Sequence, residues 1–119
     1  MIRIRDEQQR ELAQGVEKRW KKEMRARLSV EFPLETEKLS PEDFRELIDD
    51  GWTNAKELEI TEQEDIYRFL RLRFLRKEIL ESDFVQSVLI RILNNFNLSG
   101  TKRLDFIEQQ VIKPRMHRT

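Results

Sequence analysis

Apolar residues recur at helical spacing along almost the whole of this 119-residue chain, and nowhere do they alternate cleanly as in a half-buried β-strand. The three prolines, with Gly51 and Gly100, fall between or at the ends of the apolar segments. The apolar periodicity and the chain-breaking residues therefore indicate the same helix boundaries. We predict an all-α fold, a single compact helical domain of five or six helices with a long N-terminal helix and a central buried helix.

The first predicted helix begins at Asp6, an N-cap with Gln9 three residues later, and ends near Val30. Its apolar residues are spaced by four, and each such step drifts by about 40° against a turn of 3.6 residues. The stripe therefore winds around the helix, which suits a long helix that crosses several neighbours. It is formed by Leu12, Val16, Trp20, Met24 and Leu28.

A second helix is predicted from Ser40-Pro41, a hydroxyl cap followed by proline at the first helical position. It should end at Asp49-Asp50-Gly51, with the glycine as a left-handed C-cap. A short helix or helical turn containing Trp52, Ala55 and Leu58 should follow.

Thr61-Glu62-Gln63-Glu64 is a capping box that opens a helix through about Leu80. Apolar residues cover nearly every side of this segment, so we predict that it is the central helix. Ser82 or Asp83 caps the next helix, whose apolar half-cylinder we assign to the core: Phe84, Val85, Val88, Leu89, Ile92, Leu93 and Phe96.

A last helix is predicted after Ser99-Gly100 and should end at Lys113-Pro114. Its apolar residues are Leu104, Ile107, Val111 and Ile112. The domain would therefore cover residues 1–114. Residues 115–119 form a basic tail that we expect to be mobile.

The composition lacks the residues that most enzyme sites need. The chain has no cysteine, and its one histidine, His117, lies in the tail. No phosphate-binding loop, HExxH motif or EF-hand spacing is present. Carboxylates are plentiful and a pair could serve acid/base chemistry or bind a divalent ion, but acids on helix faces are usually solvated. We therefore predict no catalytic residues, no cofactor and no metal. Without an apolar N-terminal segment or an apolar run of ~20 residues, we also expect a cytoplasmic protein with no membrane contact.

Charge is balanced overall, with 23 basic and 23 acidic residues, but it is segregated along the chain. Residues 1–32 carry nine basic and six acidic residues, residues 33–65 three and twelve, and residues 66–119 eleven and five. One interpretation is that the acidic middle packs across the basic helices and neutralises them. The other is that it forms a docking surface for a basic partner.

The docking interpretation gives a candidate partner-binding site on the predicted helix 42–50, because that helix needs only its apolar face for its own burial. Asp49 and Asp50 would also lie at the negative end of the helix, where acids are unfavourable unless a basic group compensates. The site consists of Glu42, Glu46, Asp49 and Asp50, with Trp52 as an apolar anchor.

A nucleic-acid interface is the weaker alternative. The basic residues of the central helix point around it instead of forming one stripe, and a chain without net positive charge lacks the usual basic footprint. The residues concerned are Arg68, Arg71, Arg73, Arg76 and Lys77.

Three parts of the chain share features with a known family: Met1–Gln8, the pair Gly51–Ala55 and Ile60–Leu70, and Leu98–Asp105. Together they resemble a family of small bacterial proteins associated with type VI secretion effector modules. The chain departs from the family pattern at Leu58-Glu59-Ile60 and after Leu75. The resemblance implies a cytoplasmic helical accessory to a secreted effector or spike component, without enzyme activity.

These observations lead to one main functional hypothesis, a non-enzymatic adaptor or chaperone for a partner protein such as a type VI secretion effector. An immunity protein that neutralises a cognate toxin is the first alternative. A nucleic-acid-binding regulator is the second. A homo-oligomer is compatible with each of them.

Overall fold

The computed structural model describes residues 2–75 and 82–116, with side chains described for residues 14–75 and 82–115. Within these ranges every regular element is a helix and no strand occurs, so the predicted all-α fold class is confirmed. The elements are α1 (Ile2–Glu31), α2 (Pro33–Glu37), α3 (Pro41–Glu57), α4 (Gln63–Leu75), α5 (Asp83–Leu93), α6 (Gly100–Ile107), a π-helix (Glu108–Ile112) and α7 (Lys113–Met116).

The chain divides into two compact units, Met1–Ile48 and Asp49–Thr119, and the boundary falls inside α3. Among the described side chains of the first unit, residues 14–48, the buried ones are Met24, Leu28, Thr36, Phe44 and Ile48. In the second, buried apolar residues come from α3, α4, α5, α6 and the π-helix, with Ile60 on the turn after α3. The predicted domain bounds, residues 1–114, stay a prediction.

The long N-terminal helix is confirmed, but its start is earlier than predicted. α1 begins at Ile2, so Asp6 lies inside it and is not an N-cap. A capping residue favours a helix start without forbidding an earlier one, and the isoleucines and arginines before Asp6 are compatible with helix. After α1, Pro33 occupies the first position of α2, a short helix that the sequence did not predict.

α3 is longer than predicted, because it passes through Gly51 without a break. The Ser40 cap is confirmed, since the Asp43 N–H donates to Ser40 Oγ over 3.1 Å. Gly51 is not a left-handed C-cap, and no described glycine has a positive φ. Its role is packing: a Cβ added at Gly51 would collide with Leu70 Cδ2 of α4. The glycine lets the buried Leu70 side chain rest against the α3 backbone.

The end of α3 is a Schellman motif built on a glutamate. The Glu59 N–H donates to the Lys56 carbonyl and the Ile60 N–H to the Ala55 carbonyl, both within 3.0 Å. Glu59 takes the left-handed conformation, with φ 59°, that this motif usually assigns to glycine. Buried Ile60 and Ala55 supply the apolar pair that accompanies the motif.

Replacing Glu59 by glycine should stabilise the protein by about 1 kcal/mol, because a left-handed residue with a Cβ costs about 1–2 kcal/mol and glycine returns part of this as chain entropy. Chemical denaturation measures the change. The control is Glu57→Gly, two residues earlier in the last turn of α3, which should instead cost up to about 1 kcal/mol. Equal losses in both variants would contradict the prediction.

α4 is the buried central helix that the sequence predicted, although residues 76–80 of that prediction lie outside the described residues. α5 begins after the Ser82 cap, whose Oγ accepts the Val85 N–H at 3.1 Å. Its predicted core face is only partly correct, because Val85 and Leu89 are buried whereas Phe84 is 74% exposed. Phe96, in the loop after α5, is also exposed. Helical phase explains Phe84, which lies about 100° from Val85 and so at the edge of the buried arc.

The last helix does not end at Lys113-Pro114. It passes through the π-helix and continues as α7 to Met116, so Arg115 and Met116 are helical. In a regular α-helix the ring of Pro114 would clash with the carbonyl four residues earlier. The Lys113 N–H instead donates to the Glu108 carbonyl, five residues back, and Pro114 falls in the first turn of α7. Residues 117–119, including His117, lie outside the described residues.

Candidate protein-binding surface

The acidic residues singled out in the sequence lie on one continuous helix, α3. Glu42, Glu46 and Asp50 follow each other at intervals of four residues, and all three are exposed. Residues at this spacing lie one above another on a helix. We call these three residues the acidic face of α3. Asp49, the fourth predicted acid, is half-buried and already has an interaction partner.

The acidic face has no internal counter-charge among the described side chains. No lysine or arginine in residues 14–75 and 82–115 lies within ion-pair distance of Glu42, Glu46 or Asp50. By contrast, Glu17 of α1 pairs with Lys21 at 3.4 Å. Within the described side chains, Glu42, Glu46 and Asp50 are therefore not neutralised by direct pairing with a basic residue.

Trp52 is not the exposed anchor that the sequence suggested. Its side chain is only 5% exposed, and the Lys56 ammonium group lies 5.4 Å from its ring centroid. The alternation of exposed and buried positions along α3 explains this, because Trp52 is one turn from the buried Ile48 and Ala55. Trp52 belongs to the core of the second unit.

The predicted helix-end penalty at Asp49 and Asp50 is also absent, because α3 does not end there. The acids of its first turn are Glu42 and Asp43, where the helix dipole favours negative charge, and Lys56 lies in its last turn. The exposed acids of α3 are therefore compatible with a stable helix. Their mutual repulsion remains.

A second group of acids, missed in the sequence, surrounds Arg68 of α4. Arg68 Nη2 lies 2.9 Å from both Asp105 Oδ1 and Glu108 Oε2, and Nη1 lies 3.3 Å from Asp65 Oδ1. Asp65 also accepts a hydrogen bond from the Thr101 hydroxyl. Burial alone would lower the pKa of Arg68, but the hydrogen bonds and charges of Asp105 and Glu108 raise it above its ordinary value. This cluster joins α4 to α6 and the π-helix.

Arg103 of α6 is a buried polar residue that the sequence did not single out. It is 1% exposed, and three of its contacts go to backbone carbonyls: Nη1 to Leu93 at 2.6 Å, and Nε to Leu98 at 3.2 Å and Ser99 at 3.3 Å. Its guanidinium carbon lies 5.1 Å from the Phe96 ring centroid. Arg103 therefore holds the connection between α5 and α6. Its position in phase with Ile107 and Val111 was the available sequence signal.

An open cavity of about 310 Å³ lies next to these clusters. Glu59, Glu62 and Asp65 line it together with Arg103 and the start of α6. Asp65 and Arg103 are already engaged by the contacts above, so Glu59 and Glu62 supply its available charge. The cavity is therefore better suited to basic groups than to anions, as is the acidic face of α3.

Neither metal binding nor membrane insertion has support in the described part of the chain. No three acidic or histidine side chains among the described residues are grouped so as to hold a metal ion. No described helix combines the length and the apolar character needed to cross a membrane.

Comparison with family models, curated proteins and solved structures finds no match for this chain. Its function is therefore inferred from its own residues.

Proposed function

We propose that this chain is a non-enzymatic protein-binding module that docks a basic partner protein through the acidic face of α3. In this proposal it serves as an adaptor or chaperone for a partner such as a type VI secretion effector. The observation that carries the proposal is the absence of any described ion pair for three exposed acids on consecutive turns, Glu42, Glu46 and Asp50.

The physical basis is electrostatic. Like charges four residues apart on a helix destabilise it by about 0.2–0.5 kcal/mol per pair. A basic surface placed against Glu42, Glu46 and Asp50 replaces this repulsion with attraction. Complementary charge also accelerates the encounter of two proteins, and salt screens this effect.

Reversing two charges of the acidic face tests the proposal. The double variant Glu46→Lys with Asp50→Lys should lose the partner captured by the wild-type protein from its native cell, while its melting temperature stays unchanged. With the purified partner, the association rate of the wild type should fall as salt is added. Capture is followed by mass spectrometry, and the rate by stopped-flow mixing.

The matched control is Glu17→Lys with Glu23→Lys, which makes the same change of net charge on α1. This control should keep the partner. Equal loss of capture in both double variants would show a general charge effect and contradict docking at α3. A lowered melting temperature with intact capture would mean that the acids act within the fold.

The part of the partner that is bound separates the two protein-binding roles. An adaptor or chaperone should bind the delivery region of an effector and raise its abundance. An immunity protein should bind the toxic domain and protect cells that express it. Co-expression with each region of the captured partner, followed by growth and abundance measurements, distinguishes them.

A further inference from the structure

The second unit carries an open apolar groove between α4 and α5. The groove has a volume of about 190 Å³, somewhat above the ~150 Å³ of an engineered cavity that binds benzene, so it has room for a large side chain. Phe69 and Leu72 line it from α4, and Leu89, Ile90 and Leu93 line it from α5. Ile90 is 60% exposed, so part of the apolar lining of the groove faces solvent.

The charge at the rim of this groove is positive. Arg73 is the charged residue among its lining side chains, and it is exposed. No carboxylate among the described residues lies within ion-pair distance of Arg73. The groove therefore suits an apolar side chain that has an acid beside it.

The first unit presents such a segment at the corner between α1 and α2. Val30 is 83% exposed and Leu34 is 69% exposed. Glu37, three residues after Leu34 and thus on the same side of α2, is exposed as well. This corner combines a protruding aliphatic side chain with a carboxylate one turn away.

We infer that the chain self-associates, with the α1–α2 corner of one copy docked in the α4–α5 groove of a second copy. Leu34 fills the groove against Ile90 and Leu93, and Glu37 pairs with Arg73. Apolar burial supplies the affinity, and the charge pair fixes the orientation. The contact involves none of the residues of the acidic face of α3. Self-association and the proposed partner docking can therefore be tested, and can fail, independently of each other.

Two variants that each disable one side of the contact give the sharpest test. Leu34→Asp replaces the apolar side chain of the α1–α2 corner and leaves the groove intact. Ile90→Asp places a charge in the groove and leaves the corner intact. Each variant alone should be monomeric at concentrations where sedimentation velocity shows the wild type to be associated. An equimolar mixture of the two should form a 1:1 complex, because each chain retains one functional side.

A charge exchange tests the orientation. Glu37→Arg and Arg73→Glu should each weaken self-association about tenfold or more, which corresponds to ~1.4 kcal/mol. The double variant should recover most of the loss, because the pair is restored in reverse. Light scattering across a dilution series measures the dissociation constant.

Phe84→Asp is the matched control, because it adds the same charge at an exposed apolar residue of α5 outside the groove. It should associate as the wild type does, and circular dichroism should show all variants folded. A wild type that stays monomeric at every concentration would overturn the inference. So would association that survives Leu34→Asp and Ile90→Asp, or a mixture that fails to form the 1:1 complex.

Discussion

Replacing Arg103 with alanine is expected to destabilise the protein by roughly 3–5 kcal/mol. The change removes a buried guanidinium group that donates to the carbonyls of Leu93, Leu98 and Ser99. Hydrogen bonds to a charged group contribute about 1.5–3 kcal/mol each, whereas the Ser99 carbonyl also accepts the Arg103 backbone N–H and keeps that donor. These terms are not additive, so the expected loss is smaller than their sum. Urea denaturation gives the free energy of unfolding directly.

Two further substitutions complete this test. One is a control at a neighbouring exposed residue, and the other separates the donors of Arg103 from its apolar stem. Lys102→Ala changes the neighbouring exposed residue of α6 and should leave the free energy of unfolding within about 0.5 kcal/mol of the wild type. Arg103→Met keeps an unbranched apolar side chain but removes every donor. If Arg103→Met were as stable as the wild type, the stem and not the carbonyl contacts would be responsible, and the prediction would fail.

Leu70→Ala should cost about 2–5 kcal/mol, because it leaves a cavity at one of the most completely buried side chains of the second unit. Gly51→Ala places a methyl group where Leu70 Cδ2 now lies. Overpacking of this kind typically costs about 1–3 kcal/mol. A gain of up to about 1 kcal/mol in helix propensity offsets part of it.

The double variant of Gly51 and Leu70 tests whether these two residues are in direct contact. Once Leu70 is shortened to alanine, the methyl group at position 51 enters free space. The combined loss should therefore be smaller than the sum of the two single losses, by about 0.5–3 kcal/mol. Thermal and chemical unfolding of the four proteins measure this coupling. Strict additivity would contradict the contact.

The parts of the fold that depend on short stretches of sequence were predictable. The side-chain caps at Ser40 and Ser82 follow from local rules, and so does the Ser99 cap, whose Oγ accepts the Lys102 N–H at 3.1 Å. The long α1 and the buried α4 follow from apolar periodicity. Each of these depends on residues within one or two turns of each other.

The parts that depend on distant residues were not predictable. Asp49-Asp50-Gly51 has the local pattern of a helix end, but α3 continues through it, and Leu70, nineteen positions later, packs against the Gly51 backbone. Lys113-Pro114 also has the pattern of a helix end, and the preceding π-helix accommodates it. The burial of Arg103 depends on carbonyls that only the folded loop brings together.

In the candidate site, too, some features were predictable from local sequence and others were not. The acids of α3 were found from charge segregation, because exposed charges need no tertiary contact to be recognised. Trp52 was misassigned because a tryptophan beside acids has the same local sequence whether it is buried or exposed. Phe84 was misassigned in the opposite way, because the sequence placed it in the core whereas the structure shows it exposed.

The boundary between the two compact units has a consequence for dividing the protein into separately expressed fragments. Cutting between Ile48 and Asp49 would break α3 in its middle and leave up to four carbonyls and four N–H groups without helical partners. A fragment that ends after Ile60 would instead retain the whole helix and the backbone bonds of its Schellman motif. That cut would still separate Gly51 and Trp52 from the second unit, in which Leu70 packs against the Gly51 backbone. A cut near α3 therefore sacrifices either the hydrogen bonding of this helix or its packing.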